Sequence, residues 1–124
     1  MSANLKIAKF NQSVLPYKIV TDSTLTADPI IDVTQGSGTI YDMHIVVTGS
    51  DTYYLKFWLQ TASVTIGTTP PDVIFKLAAN DDLSINFPGG LPFTALTAAI
   101  VDTAADSDST KTGATTVDIT VVTS

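Results

Sequence analysis

His44 is the single histidine of this 124-residue chain, so any imidazole chemistry must pass through it. Asp42 lies two positions away, and in a strand that spacing puts both side chains on one face. The carboxylate could orient the ring, and a serine brought alongside by the fold would complete a Ser-His-Asp set. The sequence contains no Gly-x-Ser-x-Gly nucleophile elbow. A surface or interface histidine is the default reading, and no catalytic set is recognisable, so the chain is not read as an enzyme.

Metal and phosphate chemistry find little support. A zinc site needs several nitrogen or sulfur ligands, and one histidine with no cysteine cannot supply them. Asp102, Asp106 and Asp108 crowd one segment and could offer oxygens to calcium, although the central glycine and closing glutamate of an EF-hand loop are missing. A solvated acidic loop explains the same residues. Gly36-Ser37-Gly38 and Gly89-Gly90 lack the lysine, the hydroxyl residue and the helix that follow a phosphate loop. Both read as turns, as does Asp81-Asp82, where aspartate bonds its own backbone. No cofactor is expected.

Binding residues are easier to nominate. Tyr54 and Trp58 share a strand face with Lys56 between them. Such a face could pack in the core, anchor a protein interface or stack on a glycan. Residues 1–21 carry Lys6, Lys9 and Lys18 and no acid, a local charge of +3. The remainder carries three lysines and twelve aspartates, a local −9 within a net charge of −6. Lys6 and Lys9 could therefore dock a basic terminal arm on an acidic partner, or they are scattered lysines on an ordinary edge strand. The acidic balance argues against a nucleic-acid partner, which needs clustered basic residues.

The elements that position these residues are strands. Threonine, valine and isoleucine form about a third of the chain, and β-branched residues favour a pleated strand over a helix. Arginine and glutamate, both good helix formers, are absent. In residues 39–47, Tyr41, Met43, Ile45 and Val47 alternate with Ile40, Asp42, His44 and Val46. Thr48-Gly49-Ser50-Asp51 is a tight connection. Tyr53, Leu55, Phe57 and Leu59 then alternate with Tyr54, Lys56 and Trp58. Further alternation marks residues 73–77, 83–87 and 117–121, and Pro88-Gly89-Gly90 is expected to break its strand. Residues 15–20 alternate loosely around Pro16, residues 30–33 form a short apolar run, and residues 91–101 favour β over a helical turn.

The expected fold is all-β, an antiparallel β-sandwich or jelly-roll-like body of seven or eight short strands. Residues 1–13 read as an N-terminal arm or edge strand and residues 14–124 as one sandwich domain. Hydrophobic residues make up 44% and charged residues 15%, enough for a core but a sparsely charged surface. A partner could cover part of that surface, or threonine and serine could keep it wet. With no cysteine, no disulfide framework is expected, which fits synthesis in a cytoplasm. No apolar run is long enough to cross a bilayer, so no membrane partner is expected. Asn11-Gln12-Ser13 matches a glycosylation sequon but follows no secretion signal.

Residues 48–119 resemble small β-rich structural proteins encoded by tailed bacteriophages. The resemblance is carried by Val64-Thr65-Ile66-Gly67-Thr68-Thr69-Pro70-Pro71, by Phe87-Pro88-Gly89-Gly90-Leu91-Pro92-Phe93, and by residues 103–110 before the last strand. It implies a virion component, foremost a capsid decoration (cement) protein on the head surface. Such proteins clamp neighbouring major capsid subunits and are often homotrimers. A tail fibre or receptor-binding module holding host glycan is the alternative. The resemblance brings no catalytic residues.

Overall fold

In the computed structural model, which describes residues 5–9, 17–30 and 36–124, eight strands form two antiparallel sheets. They are β1 (Leu5–Lys9), β2 (Lys18–Asp22), β3 (Gly38–Thr48), β4 (Tyr53–Trp58), β5 (Val73–Leu77), β6 (Asp82–Phe93), β7 (Thr97–Val101) and β8 (Thr116–Thr123). One sheet has the order β1-β2-β8-β3-β6 and the other β5-β4-β7. The expected all-β sandwich is what forms. The jelly-roll description is narrower than this five-against-three strand order supports. Residues 5–9 form an edge strand, while the sequon, Leu15, Pro16 and residues 31–35 lie outside the described residues.

The alternation in the sequence builds the core. Met43, Ile45 and Val47 of β3, Val117, Ile119 and Val121 of β8, and Tyr53, Leu55 and Phe57 of β4 are all buried. Ala98 and Ile100 of β7 complete the inner layer from the smaller sheet. Burying each large aliphatic side chain stabilises the fold by about 1.5–3 kcal/mol. The outer face of the larger sheet carries Asp42, His44, Ser84, Asn86 and Asp118, all exposed, as expected where an antiparallel sheet meets water.

Two local readings change. Ile40, which alternation puts on the face of Asp42 and His44, is fully buried, and Tyr41, on the face of Met43, is only half-buried. A register shift between Ile40 and Asp42 makes the strand swap faces there. Across from it, Pro88-Gly89-Gly90 does not end the strand. Asn86 pairs with Asp42 and Leu91 with Ile40, so residues 87–90 bulge out opposite Tyr41 and pairing resumes beyond them. Gly89 and Gly90 take φ of 81° and 83°, which a side chain would disfavour.

The smaller sheet is covered on its outer side as well. Lys56, Trp58, Thr97, Ala99 and Val101 alternate with the core residues of β4 and β7, yet all are buried. Residues 59–72 and 102–115 fold over them as a third layer. Trp58 Nε1 donates to the Thr69 carbonyl at 2.9 Å, and Lys56 Nζ donates to the Ala105 carbonyl at 2.5 Å.

Candidate functional site

Each of the two covering loops is organised by aspartate. Asp72 accepts the Leu59 N–H at 2.6 Å and returns its own N–H to the Phe57 carbonyl at 2.8 Å, closing the first loop at its base. In the second loop, Asp102 accepts the Thr112 N–H at 2.9 Å, and Asp108 accepts the N–H groups of Thr103 at 2.6 Å and Thr110 at 3.0 Å. These carboxylates are spent on the loop's own backbone. No group of three or more metal-ligating side chains occurs among the described residues.

A polar knot fastens the second loop to the β3–β4 turn. Asp51 accepts the Thr115 hydroxyl at 2.6 Å, and its own N–H donates to that hydroxyl oxygen at 3.0 Å. The buried Tyr53 hydroxyl donates to the Thr112 carbonyl at 2.6 Å. Lys111 Nζ sits 4.6 Å from the Tyr53 ring centroid and donates to the Thr115 carbonyl at 2.9 Å. The Thr115 hydroxyl and then its N–H hold the Asp51 carboxyl below its ordinary value, against an opposing desolvation. Burial, followed by the charge of Asp51, pushes the Tyr53 phenol up, so it stays a neutral donor.

Asp108 is shifted further. Desolvation raises its pKa, but the hydrogen bonds from Thr110 and Thr103 together outweigh it and bring the carboxyl down to about 2. A depressed folded pKa means that its contribution is complete above the unfolded value of about 3.9 and is lost as pH falls through about 2. The Thr103 and Thr110 amide shifts should therefore titrate with a midpoint well below 3.9 in an NMR pH series. A midpoint at the ordinary aspartate value would contradict the assigned bonds.

His44 lies on the outer face of the larger sheet, in a shallow groove of about 300 Å³ lined with Asp42, Ser84, Asn86 and Thr120. Asp42, which the spacing allows as the ring's partner, instead accepts the Asn86 side-chain N–H at 2.7 Å. The ring instead meets Asp82, with Nε2 and Oδ1 2.5 Å apart. Ser84 is the cross-strand partner of His44. The fold thus gathers a serine, a histidine and an aspartate, but no hydrogen bond joins Ser84 to His44 among the described residues. The imidazole is oriented by a carboxylate in an open position, His44 being 49% and Asp82 70% exposed. An exposed pair of this kind contributes little, and His44→Ala should change the unfolding free energy by less than about 1 kcal/mol in urea titration.

The four nominated contact residues fare differently. Lys6 is exposed on β1, and the Lys9 side chain lies outside the described residues. Tyr54 is half-buried, and Trp58, at 2% exposure, is sealed beneath the covering loops. Trp58 is therefore corrected from a surface anchor to an interior one. Comparison with protein-family models, with curated proteins and with solved structures finds no match. Function must therefore be argued from this chain's own surfaces.

Sequence reasoning missed the Asp51–Tyr53–Thr115 knot, the Lys56 pin and the Asp82–His44 pair. Each joins residues 38 or more positions apart, except the bond between Tyr53 and Asp51. Only strand register and loop placement bring them together, and no local spacing encodes that.

Proposed function

We propose that the chain is a phage virion structural protein, a capsid decoration (cement) protein that stabilises the head shell by binding major capsid subunits. The observation that carries the reading is a sandwich whose covering loops are tied down and whose described β1 edge exposes a lysine. Its loops are tied down by Lys56, Trp58, Asp102 and Asp108. Among the described residues its β1 strand pairs only with β2, and it exposes Lys6. Cementing requires rigidity and contact area, and a sandwich with an adhesive edge supplies both. The glycan-binding alternative loses support, because Trp58 offers no stacking surface under the loops.

Truncation is a poor test of the basic segment. β1 hydrogen-bonds along β2, and Leu5 packs against the core, so removing it strips a strand from the sheet. Charge reversal keeps the strand. Shells lacking the protein should bind the wild-type chain on co-sedimentation and resist heat better once bound. Lys6→Asp with Lys9→Asp should weaken attachment by about tenfold or more. Wild-type chain that never sediments with shells, or that cryo-electron microscopy locates at the tail tip, would overturn the reading.

A further inference from the structure

Each of the two loops over the smaller sheet contains a self-bonded turn. In residues 59–72, the Thr68 and Thr69 N–H groups donate to the Thr65 carbonyl at 3.0 and 2.9 Å, and the Thr65 N–H donates to the Thr69 hydroxyl oxygen at 3.0 Å. In residues 102–115, the Asp108 N–H donates to the Ala105 carbonyl at 3.1 Å, while its carboxylate takes the Thr103 and Thr110 N–H groups. Bonds closed within a turn let it move as a body rather than fray residue by residue.

The bases of the loops are fixed and their turns are pinned. Asp72 ties the first loop at Leu59 and Phe57, and Asp51 and Tyr53 tie the second at Thr115 and Thr112. Trp58 Nε1 reaches the first turn at Thr69, and Lys56 Nζ reaches the second at Ala105. These two pins are neighbours on one face of β4. The turns also touch each other. A methyl on Gly67 would stand 3.1 Å from both the Ser107 carbonyl oxygen and the Ser109 Cβ, so the first turn presses on the second where a side chain has no room.

We infer that residues 59–72 and 102–115 form one coupled lid over β4 and β7, so that loosening either loop opens both. Lifting the second turn admits water beside Trp58, where it competes for the Thr69 carbonyl and loosens the first turn. Lifting the first removes the Gly67 buttress from Ser107 and Ser109. The coupling also bears on binding. Ala104, Ala105, Asp106 and Ser107 are exposed at the tip of the second loop. By linkage, a partner that grips this tip also tightens the first loop over Trp58.

The lid stands apart from the shell-binding reading, because hydrogen exchange on the purified chain alone reports it. In the wild type, the Thr69 amide and the Trp58 indole N–H should share one protection factor with the Thr103 and Thr110 amides, below that of the Ile45 and Ile119 amides in the larger sheet. Asp108→Ala, which alters the second loop alone, should speed exchange at Thr69 and the indole by about fivefold or more. Gly67→Ala, which alters the first loop alone, should do the same at Thr103 and Thr110. Circular dichroism should retain the strand spectrum in both variants. Acceleration confined to the altered loop would overturn the coupling. So would wild-type protection that differs between the loops, or that equals the value at Ile45 and Ile119, since opening would then be global.

Discussion

Replacing Trp58 with alanine lowers the unfolding free energy by about 3–5 kcal/mol, read as a fall in the urea midpoint. The ring lies on the face of β4 that also carries Lys56, and at a position open to solvent a substitution would cost only about 0.5 kcal/mol. The difference measures the covering layer. Residues 59–72 close over the indole, and the Thr69 carbonyl takes its N–H. Trp58→Phe should fall between, since it keeps most of the bulk and leaves Thr69 without a donor, at a cost of about 1–3 kcal/mol. A loss below about 1 kcal/mol for alanine would show that the loops do not pack on this face. Trp58 is the chain's single tryptophan, so its emission also reports any opening of the layer without a label.

Gly113→Val is expected to cost about 3 kcal/mol by the same measurement, from two sources. The residue holds φ of 82°, where a β-branched side chain is strained. A methyl at this position would also collide with the Asp51 carboxylate, which holds the Thr115 hydroxyl. Gly89→Ala separates the two. It has φ of 81° with open space around it, so it should show the backbone cost alone, about 1 kcal/mol. Equal losses at the two sites would mean that Asp51 moves aside freely and that the knot does not hold the loop.

The strands were legible because their signal is local. Spacing alone puts Tyr53, Leu55, Phe57 and Leu59 on one face, and all four are buried. Tyr41 misled because a bulge reverses the alternation within its strand, and nothing in residues 39–47 marks it. Pro88-Gly89-Gly90 looks like a terminator, and only the pairing with β3 shows that the strand continues. For Lys56 and Trp58 the sequence leaves core, interface and glycan contact open, because period two cannot foresee loops returning from residues 59–72 and 102–115. The charge asymmetry of the first 21 residues could be counted in advance.

The bulge opposite Tyr41 bears on misassembly. A regular edge of β6's length would offer a long template for fibrillar stacking by any extended chain. The kink at residues 87–90 divides the register with β3 into a stretch from Asp82 to Asn86 and a shorter one from Leu91 to Phe93, and Pro88 and Pro92 present no N–H. Amyloid-like growth along this side is thereby interrupted within the strand, and a polypeptide with so few charges gains protection from precipitation that its composition does not provide.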